Sequence, residues 1–66
     1  MDSRKFGLLI RGQRKKLKLR QSDVSLSTGI GTRFISNLEN GKPTCELGKA
    51  IEVLESLGLV LSIHER

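Results

Sequence analysis

One cysteine, Cys45, in a chain of 66 residues removes the staples on which very small domains commonly depend. A lone thiol makes no internal disulfide, and one cysteine with one histidine, His64, makes no structural zinc site. The fold has to stand on packing alone, which suits a reducing, cytoplasmic setting. Packing is limited in turn by length. A domain this short buries only about 60% of its extended-chain surface, so a second copy is an expected source of stability. Hydrophobic residues are 36% of the chain and 7 glycines add to the apolar share, which is the composition of a folded domain. No apolar run approaches the ~20 residues of a membrane span, and Met1–Asp2–Ser3 does not begin a signal peptide. One domain is expected, without repeats, low-complexity stretches or a linker.

Charge is uneven. Residues 1–20 carry eight basic side chains (Arg4, Lys5, Arg11, Arg14, Lys15, Lys16, Lys18, Arg20) against the acid Asp2, whereas residues 21–66 carry four basic and six acidic ones. The chain's net charge of +5 therefore sits in its first third. Such an imbalance suits a polyanion partner and equally suits a solvated helix face. Membrane adhesion and single-strand RNA stacking both want exposed aromatics, and the chain has two Phe and no Tyr or Trp.

The apolar set Phe6, Leu9, Ile10, Gln13, Leu17 comes near the i, i+3, i+4, i+7 rhythm of an amphipathic helix and predicts one over about 3–16, capped by Asp2 or Ser3. Gly7 and Gly12 inside it each cost about 1 kcal/mol against Ala, and such glycines can mark a close helix approach. A second helix is expected from Gln21 to Thr28, stopped by Gly29, with Asp23 in its first turn. Its cap position holds Arg20, where Ser, Thr or Asn is usual. That violated local rule points to a functional surface. Thr32 is the expected cap of a third helix ending near Glu39, with Asn40–Gly41 as terminator. On it Phe34, Ile35 and Leu38 share one side, while Arg33, Ser36, Asn37 and Asn40 share the other. The polar side has no carboxylate and offers groups suited to guanine, adenine and phosphate. After Pro43–Thr44, a fourth helix is expected from about Cys45 to Leu57, with Leu47, Ala50, Ile51, Leu54 and Leu57 as its apolar stripe. Beyond Gly58, Leu59–Val60–Leu61–Ser62–Ile63 reads as a short strand. The chain has no second strand to pair with it, so the expected partner is the same segment of a second copy.

Two short helices joined by Thr28–Gly29–Ile30–Gly31, the second polar and basic on one face, make a helix-turn-helix. Gln21–Ser22–Asp23–Val24–Ser25, then Gly29–Ile30, then Ile35–Ser36–Asn37–Leu38–Glu39–Asn40–Gly41–Lys42 resemble the Cro/cI-type helix-turn-helix family over roughly residues 6–57. Ser25 departs from it, where Ala is usual, as does Arg20. The resemblance implies an all-α, lambda-repressor-like domain of four to five helices, taken as residues 1–58, and the apolar pattern of the remainder makes 59–66 the expected dimerising strand and tail. It implies base contacts from Thr32, Arg33, Ser36 and Asn37, and phosphate contacts from Gln21, Asn40 and Lys42. Arg20, at the cap beside Gln21, is taken with the phosphate set. Arg14 and Glu39 correspond to a partly buried salt bridge; the alternative for Arg14 is one more basic side chain of the first helix. Leu59, Leu61 and Ile63 are the expected dimer seam. Phe34, at the edge of the polar face, is read as packing rather than as a thymine contact.

These readings predict a homodimeric, sequence-specific repressor of an inverted-repeat operator in double-stranded DNA. Four helices followed by an apolar segment look like antitoxins of HipB type, which implies autoregulation and a HipA-type kinase toxin as protein partner. The alternatives are a phage-type or restriction-controller regulator of the same fold and, in another class, a protein-interaction module without DNA binding. No nucleophile–base pair, metal-ligand cluster or phosphate-cradling loop is legible, so neither catalysis nor a cofactor is expected, and His64 and Cys45 receive no role.

Overall fold

The computed structural model describes residues 1–44 and 46–65, and among them the chain forms α1 (Ser3–Lys16), α2 (Gln21–Thr28), α3 (Thr32–Glu39) and α4 (Leu47–Ser56). Asp2 starts α1 by accepting the Lys5 N–H at 2.8 Å, satisfying one of the free donors of the first turn. Arg14, Lys15 and Lys16 fill the last turn, where cations face the negative end of the helix dipole. Arg20 occupies the cap of α2, and Asp23 compensates for it: its carboxylate accepts the Arg20 N–H at 2.7 Å, half of a capping box. The turn between α2 and α3 is fixed by Thr28, whose hydroxyl donates to the Val24 carbonyl at 2.8 Å and accepts the Ile30 N–H at 3.1 Å. Ile30 is thereby directed into the core.

That core joins Ile10 of α1, Val24 of α2, Ile30, Ile35 and Leu38 of α3, and Ala50, Val53, Leu54 and Leu57 at α4. Each large side chain buried here contributes about 1.5–3 kcal/mol. α3 packs against α1 on one side and α2 on the other, and α2 also meets α4. The approach of α1 to α3 is set by Gly7. A Cβ there would collide with the backbone carbonyls of Leu38 and Glu39, the latter oxygen lying 2.8 Å away. Gly12 has nothing within 4 Å of its equivalent position, so only the first of the two glycines marks a close approach.

Several sequence-based expectations are corrected. Among the described residues there are four helices and no strand; residues 59–65 have no regular structure. A strand needs a partner for its backbone groups, and the single chain offers none. The Leu59 N–H is already donated to Leu54 O at 3.1 Å, closing the end of α4. The expected start of α4 near Cys45 falls on a residue outside the described ones. The helix begins at Leu47, after Thr44 Oγ1 accepts the Glu46 N–H at 3.0 Å. Its buried stripe is Ala50, Val53, Leu54 and Leu57; Leu47 is 62% exposed, and Val53, which the expected stripe omitted, is 0% exposed. The buried face of α1 also differs from the expected one, with Gly7 and Ile10 inside and Leu9 largely outside, because Gly7 and not a leucine makes the contact with α3. Gly31, not Thr32, occupies the cap of α3. Among the described residues no helix is long and apolar enough to cross a membrane.

Candidate nucleic-acid interface

α3 presents two unlike sides. Ile35, Leu38 and Glu39 are buried, while Thr32 and Arg33 are exposed in its first turn. Ser36 and Asn37 follow one turn later, half-buried, and exposed Asn40 approaches the Ser36 hydroxyl with its amide nitrogen at 3.5 Å. The helical repeat places Arg33, Ser36, Asn37 and Asn40 along one line. Lys42 follows the helix, exposed, its own N–H donated to Asn37 O at 2.9 Å. Arg20 is exposed and Gln21 half-buried at the start of α2. Of the segment expected to form a dimer seam, Leu59 is half-buried against the core, Leu61 is 46% exposed and Ile63 87% exposed.

The orientation of α3 depends on a carboxylate at its end. Glu39 is 4% exposed and accepts from Arg14 Nε at 2.7 Å, Arg14 Nη2 at 3.0 Å and Gln21 Nε2 at 3.3 Å. Arg14 Nη1 donates to the Leu19 carbonyl at 2.8 Å. One buried anion thus ties α1, the α1–α2 turn, the first residue of α2 and the last of α3. A guanidinium fork fits this geometry, whereas a lysine point charge does not. The hydrogen bonds and charge of Glu39 raise the Arg14 pKa, outweighing the opposing effect of burial. Since Glu39 is fully engaged, it adds no free negative charge beside the exposed polar face.

Exposed Arg4, at the start of α1, lies beside the turn that ends α3, a neighbour that its position in the sequence does not reveal. Gly41, with φ +81°, lies so close to it that a side chain there would sit 2.8 Å from Arg4 Cα. The terminating glycine was legible as a helix stop, but the neighbour it admits was not. Also unassigned was Lys49, whose Nζ lies 5.7 Å from the centre of the Phe34 ring and 3.1 Å from Glu46 Oε1.

This arrangement defines a class, and comparison with known proteins agrees with it. A family model described as Helix-turn-helix matches residues 10–60, and the chain belongs to this family, the Cro/cI-type helix-turn-helix proteins. Among curated relatives it is 46% identical, over 88% of its length and 76% of the relative's, to the uncharacterised HTH-type transcriptional regulator y4mF of Sinorhizobium fredii (strain NBRC 101917 / NGR234). It is also 32% identical, over 98% of its length and 76% of the relative's, to the ImmF control region 10 kDa protein of Bacillus phage phi105.

Proposed function

We propose that this chain is a sequence-specific repressor that binds an inverted-repeat operator in double-stranded DNA as a homodimer. The observation that carries the reading is the exposed side of α3. Arg33 and Asn37 stand one turn apart on it, with side chains able to pair bidentately with guanine and adenine, respectively. Thr32 and Ser36 complete the base-reading set. Arg20, Gln21, Asn40 and Lys42, with Arg4 added by the fold, surround it with phosphate-binding groups. The relatives' descriptions as a transcriptional regulator and a control-region protein support the same reading.

Residues 1–58 are the reading domain and 59–66 the dimerising segment in this proposal. Leu59, Leu61 and Ile63 form the seam, extended by an apolar groove of about 380 Å³ between α1 and the end of α4, where Leu8 and Leu9 are more than half exposed. Two reading helices set about one turn of DNA apart, ~34 Å, require a palindromic site.

Within this class, the 32% identity to a phage control-region protein supports a phage-type regulator. The order of helices and apolar tail supports an autoregulating HipB-type antitoxin with a kinase toxin as partner. Mixing the protein with a kinase toxin encoded beside it separates the two, because only the antitoxin co-elutes with the kinase and suppresses it. The common reading is tested by selecting bound sites from a random duplex pool and titrating the winner against salt. An inverted repeat is expected, with log K falling against log salt at a slope of about −4.5 to −7 if ~5–8 phosphates are neutralised. A slope near zero, or no duplex retained, refutes it in favour of a protein-interaction module.

A further inference from the structure

Phe34 is half-buried and packed against the core cluster, so part of its ring remains outside. That part lines a cleft of about 190 Å³ together with Asn37, Lys42, Pro43 and Glu46. Asn37 lies three positions further along the same helix, which places the two side chains side by side, with Cβ atoms ~5–6 Å apart. Lys49 of α4 lies over the ring at 5.7 Å and is held to Glu46 at 3.1 Å. The ring is thus flanked by the core behind it and by an exposed cation above it.

The major groove shows one apolar feature, the thymine C5 methyl, and it lies in the same groove as the adenine N6 and N7 that suit an asparagine amide. Building on the DNA-binding reading above, we propose that Phe34 determines specificity by contacting a thymine methyl within one base step of the pair read by Asn37, and that Lys49 is the positioning residue that holds the ring there. Every thymine offers this methyl, and every deoxyuridine lacks it while keeping its Watson–Crick edge.

The test uses the full chain and its selected operator, with each thymine replaced in turn by deoxyuridine. One position per half-site should weaken wild-type binding about fourfold, the worth of one buried methyl. Phe34→Ala should bind the normal operator more weakly and show no further loss at that position. Should Phe34→Ala fail to fold, Phe34→Gln keeps an aliphatic stem against the core but ends in a polar amide where the methyl would pack, and should lose the same sensitivity. Lys49→Met should diminish the deoxyuridine effect while leaving the salt slope unchanged. If instead its slope becomes shallower by about 1 and the deoxyuridine effect persists, Lys49 is a phosphate contact and its positioning role is refuted. A bound operator with the same deoxyuridine profile for wild type and both Phe34 variants overturns the methyl contact alone. Absence of duplex binding altogether overturns the DNA-binding reading and this inference with it.

Discussion

Glu39→Ala is the change that most directly tests why α3 is held where it is. The substitution removes an acceptor that takes three N–H groups and leaves the Arg14 guanidinium, whose side chain is 12% exposed, with the Leu19 carbonyl as its described partner. Breaking a fully buried pair by removing one partner costs ~3–5 kcal/mol, and the remaining exposure of Arg14 places this pair near the lower end, about 3 kcal/mol. A 66-residue domain has roughly 3–10 kcal/mol in all, so this single change consumes a large part of it. At ~4–8 °C per kcal/mol, the melting temperature should fall by roughly 12–24 °C, read by circular dichroism at 222 nm. Arg14→Lys, which keeps the charge and loses the fork, should cost less and serves if Glu39→Ala is too unstable to purify. The Arg14→Met, Glu39→Leu double variant leaves no stranded charge and should recover part of the loss. A double variant as unstable as the sum of the two singles would refute the coupling, and a Glu39→Ala loss under about 1 kcal/mol would refute the burial argument.

Gly7→Ala should destabilise despite a better helix former, because its methyl meets the Leu38 and Glu39 carbonyls, whereas Gly12→Ala, in open space, should stabilise by up to ~1 kcal/mol; urea midpoints separate the two. Arg33→Ala should cost ~1–3 kcal/mol per specific half-site contact and relax one or two base pairs of the selected motif, while Lys42→Ala should weaken operator and random duplex by similar factors. Leu61→Lys should shift sedimentation toward monomer and reduce operator affinity far more than non-specific affinity; an undiminished dimer would place the seam elsewhere. For Arg14 the folded pKa is raised, so its contribution is complete below the unfolded value and is lost only as pH rises through the folded one. Both lie at or above the ordinary arginine range, and the stability difference between wild type and Glu39→Gln should therefore stay constant from pH 7 to about 10.

What the sequence made legible was local. The start of α1 and the stops of α2 and α3 follow from Asp2, Gly29 and the Asn40–Gly41 pair, whose effects need only their neighbours in the chain. The polar line Arg33–Ser36–Asn37–Asn40 follows from helical period alone. Facing was less legible. Leu9 and Leu47 fit an apolar stripe by period, yet each lies outside while Gly7 and Val53 lie inside, because which side of a helix is buried depends on what it meets. Leu59–Ile63 has strand-like composition, but composition supplies no second strand. Arg4 and Lys49 escaped notice as neighbours of Gly41 and Phe34 because those contacts join residues distant along the chain.

The division of α3 has a consequence for how such a protein can change its target. The side chains proposed to read bases (Thr32, Arg33, Ser36 and Asn37) are separate from those that seat the helix: Ile35, Leu38 and Glu39. Vocabulary and anchorage thus occupy different positions of one eight-residue helix. If the first set reads the operator as proposed, exposed Thr32 and Arg33 can be exchanged without disturbing the buried Ile35, Leu38 and Glu39, so preference could change while the scaffold is kept. Phe34, half-buried against the core beside Asn37, is the position where the two sets meet, so an exchange there would touch both.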